Sequence, residues 1–237
     1  MNYIHKNFGL FVVLFMGFFS FFWLMQNNIY LNDTTRHNIL IYMNGSEQGF
    51  SSLRMISLFY TLCFLLLTNI QVKGKIQFIV RGKSRSKLFA ERTFYIFCMA
   101  GLFSFSFCFV NLVLTYILIG NELMIEGNFY LITLFNWIAM TLFYFWIGIF
   151  GKVIEDKLNS AHMATAIVFI LIGLSYFMDM IPWLPIKDMR IYEGLLTNYW
   201  DAWDLIIVYA RQLGLAIAFY LLGNMIYIEK DFNNYET

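Results

Sequence analysis

Side chains that could catalyse a reaction or bind a metal are few and scattered in this sequence. The three histidines, His5, His37 and His162, have no carboxylate three or four residues further along the chain. No G-x-x-x-x-G-K-[ST] phosphate loop, H-E-x-x-H pair or G-x-S-x-G turn is present. We therefore expect no catalytic site and no bound cofactor in this chain, and we do not predict an enzyme.

Two groups of charges remain that could carry a function. The first is a basic segment, residues 73–92, which holds seven of the chain's 16 Lys and Arg residues against one acid, Glu91. The second is Arg211, the one charge that lies well inside an apolar run. We expect Arg211 to pair with Asp204, seven residues earlier, or with Asp179, or else to extend to the membrane surface.

The composition indicates that lipid is the solvent of this protein. Of its 237 residues, 60% are hydrophobic and only 13% are charged, whereas soluble domains carry about 25% charged residues. A chain with so few charges could not cover a water-exposed surface. We predict an all-α integral membrane protein that forms a single transmembrane domain over residues 1–237.

The apolar runs predict six transmembrane helices. Lys and Arg are enriched in the segments that would share one side of the membrane with both termini, so we expect both termini in the cytoplasm. Residues 181–203 interleave Trp and Tyr with charges, which is typical of short interfacial or re-entrant helices between the fifth and sixth spans. The predicted spans are residues 8–25, 55–72, 93–120, 128–151, 161–180 and 204–228.

The basic segment has two interpretations that its residues leave open. It could be a loop that fixes topology and lies on anionic headgroups, where each cation is worth roughly 1 kcal/mol. Its apolar patches, which include Leu88 and Phe89, also fit a short cytoplasmic helix that docks into a groove of a partner.

This layout resembles the membrane subunits of ABC-2-type transporters, especially small permeases of Firmicutes associated with antimicrobial-peptide export or immunity. The shared features are six spans with both ends inside, the basic inner segment after the second span, and interfacial helices before the sixth. The resemblance implies that residues 79–92 form a coupling helix in a cleft of an ABC ATPase and that residues 182–203 form outer re-entrant helices. The coupling residues it implies are Ile79, Arg81, Lys83, Arg85, Lys87, Leu88, Phe89 and Arg92.

The resemblance also implies a function, that of a permease subunit of an ATP-driven exporter in the bacterial cytoplasmic membrane. A second copy or a paralogue would complete a dimer, and the separate ATPase would bind ATP and Mg²⁺. Aromatic faces on the first and fourth spans could contact lipid or line a cargo path, and a cargo path of this kind favours an apolar or amphipathic cargo such as a peptide. We expect no nucleic-acid partner. The alternative is a stand-alone membrane immunity or receptor protein that binds a peptide without transporting it.

Overall fold

The computed structural model of the protein describes residues 8–31, 38–72, 84–178, 181 and 183–229. These residues form helices joined by turns and loops, and no strand occurs among them. In chain order the helices are α1 (Phe8–Leu31), α2 (Ile39–Asn44), a π-helical turn (Met55–Tyr60) that continues as α3 (Thr61–Gln71), α4 (Arg85–Ile119), α5 (Asn121–Glu126), α6 (Phe129–Leu158), α7 (Ala161–Phe177), a 3₁₀ turn (Pro185–Met189), α8 (Ile191–Leu196) and α9 (Ala202–Glu229).

Helix length and composition are those of a multi-pass membrane protein. Within the described residues, α1, α4, α6 and α9 are long and apolar enough to cross a membrane. Met55–Gln71 and α7 are shorter apolar helices of up to 17 residues. At 1.5 Å per residue α4 is about 52 Å long, against about 30 Å for a hydrocarbon core, so α4 extends well beyond one side.

The six longest helical segments alternate in direction. α1 runs parallel to α4, because Phe15 contacts Phe103 and Trp23 reaches Asn111. α6 runs antiparallel to α4, because the end of α6 contacts the start of α4 and an earlier part of α6 contacts the middle of α4. α3 runs with α6, because the middle and the end of α3 contact successive parts of α6. α7 runs with α4, and α9 runs with α6. We call the end where α4 begins and α6 and α9 end the basal end, and the opposite end the capped end.

The core is built mainly from aromatic rings around α6, which contacts α3, α4, α5, α7, α8 and α9. Phe19, Phe103 and Tyr144 are fully buried, and the ring of Phe50 stacks on that of Phe107 at a centroid distance of 4.4 Å. Phe19 and Tyr144 belong to the aromatic faces that the sequence offered as a cargo path. In this structure they pack the interior of the bundle.

The capped end is covered by α2, the 3₁₀ turn and α8, which pack against each other or against α6. The backbone N–H of Ser46 donates to Glu193 Oε2 at 3.1 Å and joins the loop after α2 to α8. Gly194 allows the ring of Trp200 to lie against α8, since a Cβ there would stand 2.4 Å from the indole. The prediction of short helices in residues 181–203 is confirmed.

Three helices, α1, α4 and α6, extend at least six residues beyond their predicted spans, and α6 ends at Leu158 rather than at residue 151. α4 begins at Arg85 rather than at residue 93, because Ser84 acts as its N-cap and accepts from the Lys87 backbone N–H at 3.4 Å. α1 continues to Leu31 rather than ending at residue 25. The polar residues in this added stretch of α1 contact the rest of the bundle: Gln26 Nε2 donates to Met55 Sδ at 3.6 Å, and Asn27 is fully buried.

Candidate functional site

The basal end holds an ion pair that joins α4 to α6. A guanidinium nitrogen of Arg92 donates to Asp156 Oδ2, and the two side chains are only 11% and 6% exposed. The Arg92 guanidinium also lies 5.2 Å from the ring centroid of Phe89 and 4.6 Å from that of Tyr227 on α9. These are cation–π distances, so Arg92 contacts both of its neighbouring helices at once.

Phe89 extends this contact into a packed aromatic cluster. Its side chain is 1% exposed and its ring lies 5.4 Å from Tyr220 and 5.7 Å from Tyr227, both on α9. Gly223 makes the close approach of α9 possible, because a Cβ there would stand 2.7 Å from both Phe89 Cζ and Val153 Cγ2. The side chain of Phe89 is therefore enclosed by its own bundle, and its part in docking to a partner stays a prediction.

A second set of polar contacts joins α3, α6 and α7 at the same end. Lys152 is 3% exposed and its Nζ donates to Glu155 Oε2 at 2.7 Å and to Asn69 Oδ1 at 3.2 Å. Asn69 Nδ2 in turn donates to Thr165 Oγ1 at 2.5 Å. We call the residues of both sets the basal cluster. Its members are Asn69, Phe89, Arg92, Lys152, Glu155, Asp156, Thr165, Tyr220 and Tyr227.

The first turn of α4 presents its polar side chains to the surroundings. Arg85 and Lys87 are exposed and Leu88 is half-buried, while Arg85 Nη1 also donates to the Ile228 carbonyl at 2.5 Å. Three of the residues implied by the resemblance, Ile79, Arg81 and Lys83, lie outside the described residues. The structure thus separates the described coupling residues into two groups: Arg85, Lys87 and Leu88 face outward at least in part, whereas Phe89 and Arg92 face inward.

Arg211 pairs with an aspartate that was not among its candidate partners, Asp204 and Asp179. Arg211 Nε donates to Asp188 Oδ2 at 2.8 Å and its Nη2 donates to Oδ1, which makes a bidentate pair. Asp188 is fully buried, and Arg211 is 24% exposed. The prediction of Asp204 is wrong because that carboxylate instead accepts from the Asp201 backbone N–H at 2.9 Å, at the start of α9. The other candidate, Asp179, lies outside the described residues.

Gln212 and Trp146 extend this ion pair into a network, and no pattern in the sequence pointed to either residue. Gln212 Nε2 donates to Asp188 Oδ2 at 2.7 Å and to the Pro185 carbonyl at 2.9 Å. Trp146 Nε1 donates to Gln212 Oε1 at 2.6 Å. The network therefore holds the 3₁₀ turn against α9 and α6, and it accounts for the buried carboxylate without any ligand.

A third polar network lies inside the bundle near the capped end. Asn111 is fully buried; its Oδ1 accepts from Trp23 Nε1 at 2.9 Å, and its Nδ2 donates to Asn44 Oδ1 at 2.7 Å and to the Tyr192 hydroxyl at 3.1 Å. Tyr192 donates onward to Thr133 Oγ1 at 3.0 Å. Burial raises the pKa of Tyr192 well above its ordinary value, so the phenol stays protonated and can donate.

The three polar networks join the helices of the bundle to each other, and the basal cluster lies next to the basic first turn of α4. No group of three or more His, Cys, Asp or Glu side chains in the described part of the chain is placed to hold a metal ion. Comparisons of the chain with family models, with curated proteins and with solved structures found no match. The basal cluster and the basic segment that precedes it in the chain are therefore the features from which a function can be inferred.

Proposed function

We propose that this chain is the membrane-spanning subunit of an ATP-driven exporter in the bacterial cytoplasmic membrane. It crosses the membrane six times, its basal end faces the cytoplasm, and it moves an apolar or amphipathic cargo such as a peptide. A cytoplasmic ABC ATPase binds ATP and Mg²⁺ and docks at the basal end. A second copy or a paralogue completes the translocation path.

The direction of the helices supports six crossings. The six helical segments alternate, so the start of α1 and the end of α9 lie together at the basal end. The basic segment, residues 73–92, joins α3 to α4 at this same end. Since short loops rich in Lys and Arg stay in the cytoplasm, the basal end is the cytoplasmic end.

The observation that carries the proposal is the way the basic segment enters the bundle. Its last eight residues, Arg85 to Arg92, are the first two turns of α4, with no break between them and the long helix above. Phe89 and Arg92 join these turns to α9 and α6. A partner that displaced the exposed first turn would therefore move α4, α6 and α9 together.

This arrangement is what a coupling element requires. An ATPase can drive transport only if its nucleotide state biases two arrangements of the membrane helices, and a rigid helix joined to its neighbours transmits that bias. A loop that only fixes topology needs no such attachment. The sequence contains no phosphate-binding loop, so the ATPase is assigned to a separate partner.

Photo-crosslinking from the exposed first turn tests the proposal. A photoreactive amino acid replaces Ser86, an exposed residue between Arg85 and Lys87, and the matched control replaces Glu122, an exposed residue of α5 at the capped end. After irradiation of cells, mass spectrometry of the purified adducts should identify an ABC ATPase at Ser86 alone. Adducts at Ser86 that contain lipid only would contradict the proposal. A peptide adduct at Glu122, with no ATPase at Ser86, would favour the receptor alternative.

A further inference from the structure

An apolar groove of about 470 Å³ lies on the outer surface of the bundle, between α4 and α6. Phe94, Cys98, Gly101 and Phe105 of α4 form its floor and rim, and Trp137 of α6 forms one wall. Its exposed lining is wholly apolar. Phe94 and Phe105 are 64% and 46% exposed, so the groove opens toward the surrounding lipid.

The groove exists because a side chain is missing at Gly101. A Cβ at this position would meet only Thr141 Cγ2, at 3.9 Å, so the space above the glycine is open. Trp137 Nε1 donates to the Gly101 carbonyl at 3.1 Å, which fixes the indole beside this space. The groove is therefore a shaped depression with a fixed wall, and a chain of methylene groups could fill it.

The helical spacing places a cation below the groove on the same face of α4. Lys87 lies seven residues before Phe94, and Cys98, Gly101 and Phe105 continue that face at intervals of four, three and four residues. Phe94 and Phe105 are about 16 Å apart along the helix axis, close to the roughly 15 Å depth of one leaflet. Lys87 is about 10 Å below Phe94, on the side where the headgroups lie.

The charge at this end favours an anionic headgroup. Lys87 is exposed, and the basic segment to which it belongs carries seven cations and one acid. That acid, Glu91, is half-buried and has an interaction partner of its own. We propose that the groove binds one acyl chain of an anionic phospholipid from the adjacent leaflet, with Lys87 contacting its phosphate. This inference requires only that α4 spans a bilayer, and it holds with or without an ATPase partner.

Fluorescence quenching by brominated lipid tests this site. The purified protein is placed in phosphatidylcholine vesicles that contain the same small fraction of either phosphatidylglycerol or phosphatidylcholine brominated on an acyl chain. The signal of Trp137 is the difference between the wild type and Trp137→Phe. We expect brominated phosphatidylglycerol to quench this signal with about fivefold higher apparent affinity, the value of one cation near an anionic surface.

Two substitutions, each with a matched control, test whether the preference for phosphatidylglycerol depends on the groove and on Lys87. Gly101→Leu fills the groove and should abolish the difference between the two brominated lipids, whereas Gly214→Leu, on an open face of α9, should leave the difference unchanged. Lys87→Gln should lower the preference for phosphatidylglycerol, whereas Lys157→Gln, an exposed cation at the end of α6, should not. If Gly101→Leu does not fold, the comparison of the two lysine variants decides, because both positions are exposed.

Three results would overturn the proposal. Equal quenching by the two brominated lipids would show that the groove does not select an anionic headgroup. An unchanged preference in Gly101→Leu or in Lys87→Gln would place the selective site elsewhere. No quenching by either lipid, together with a smaller particle mass for Gly101→Leu, would show that a second copy of the chain covers the groove.

Discussion

The ion pair between Arg211 and Asp188 is stabilising because both oxygens of the buried carboxylate accept hydrogen bonds. Asp188 accepts from two guanidinium nitrogens and from Gln212 Nε2, and Gln212 accepts from Trp146. Removing one partner of such a pair leaves a buried charge that only part of the network can compensate. The pair is thus a stabilising contact between the 3₁₀ turn and α9 near the capped end.

Replacing Asp188 by Ala should therefore lower the free energy of unfolding by about 3 kcal/mol. Arg211 is partly exposed and can turn toward water, so the loss should fall at the lower end of the range for buried pairs. The matched control is Asp204→Ala, which removes only a contact at the start of α9 and should cost about 1 kcal/mol or less. Thermal unfolding in detergent, extended to a double-mutant cycle with Arg211→Met, measures the difference. Equal effects of the two aspartate variants would contradict this assignment.

Close packing of α9 at the basal end requires a glycine at position 223, whereas the glycine at position 214 of the same helix contacts no other helix. Gly223 sits against Phe89 and Val153, whereas Gly214 has no atom within 4 Å of a Cβ placed there. The two positions have the same residue type, the same helix and the same backbone class. They differ only in what the added methyl group would meet.

Gly223→Ala should destabilise the protein by about 1–3 kcal/mol, because the methyl group forces apart α9, α4 and α6. Gly214→Ala should be neutral or stabilise by up to about 1 kcal/mol, since Ala is the better helix former. Chemical denaturation in mixed micelles, with the helix signal followed by circular dichroism, compares the two variants. A loss of stability at Gly214 equal to that at Gly223 would mean that α9 does not approach α4 as described.

The sequence predicts several of the helices, but it does not predict which side chains of different helices contact each other. Apolar runs and charge bias predict long helices because the bilayer demands them. The start of α4 also had a local signal, since Ser84 is a good N-cap residue that precedes the helix. The pairing of Arg211 with Asp188 had none: it depends on the path of the chain through the 3₁₀ turn. The packing of Phe89 against α9 had none either, because the two segments are distant in sequence and meet only in the folded bundle.

The polar networks of the molecule lie at two levels along the axis of the bundle, one toward each end. The networks around Asn111 and Asp188 hold the helices toward the capped end, and the basal cluster holds the other end. Between them the core is largely aromatic.

The proposed topology predicts which positions react from each side of the membrane. In a variant without Cys63, Cys98 and Cys108, a cysteine at Glu122 should react with a membrane-impermeant maleimide in intact cells. A cysteine at Ser86 should react only after permeabilisation, because the basal end faces the cytoplasm. Both positions are exposed, so access alone does not explain a difference. Labelling of Ser86 from outside would reverse the topology and remove the basis of the proposed function.

The most direct test of the central claim is the coupling of ATP hydrolysis to transport when the basal ion pair is removed. The test uses the proposed complex with an ABC ATPase. The double variant Arg92→Met, Asp156→Asn leaves the exposed first turn of α4 intact and removes the ion pair that joins α4 to α6. We expect the ATPase to remain bound, and its stimulation by the cargo and the rate of transport to fall by about tenfold, which is the size of an ordinary allosteric coupling. Lys157→Gln at the same end is the control and should keep both rates. If the double variant stays assembled and still transports at the rate of the wild type, α4 does not transmit the movement through this cluster, and the account is contradicted.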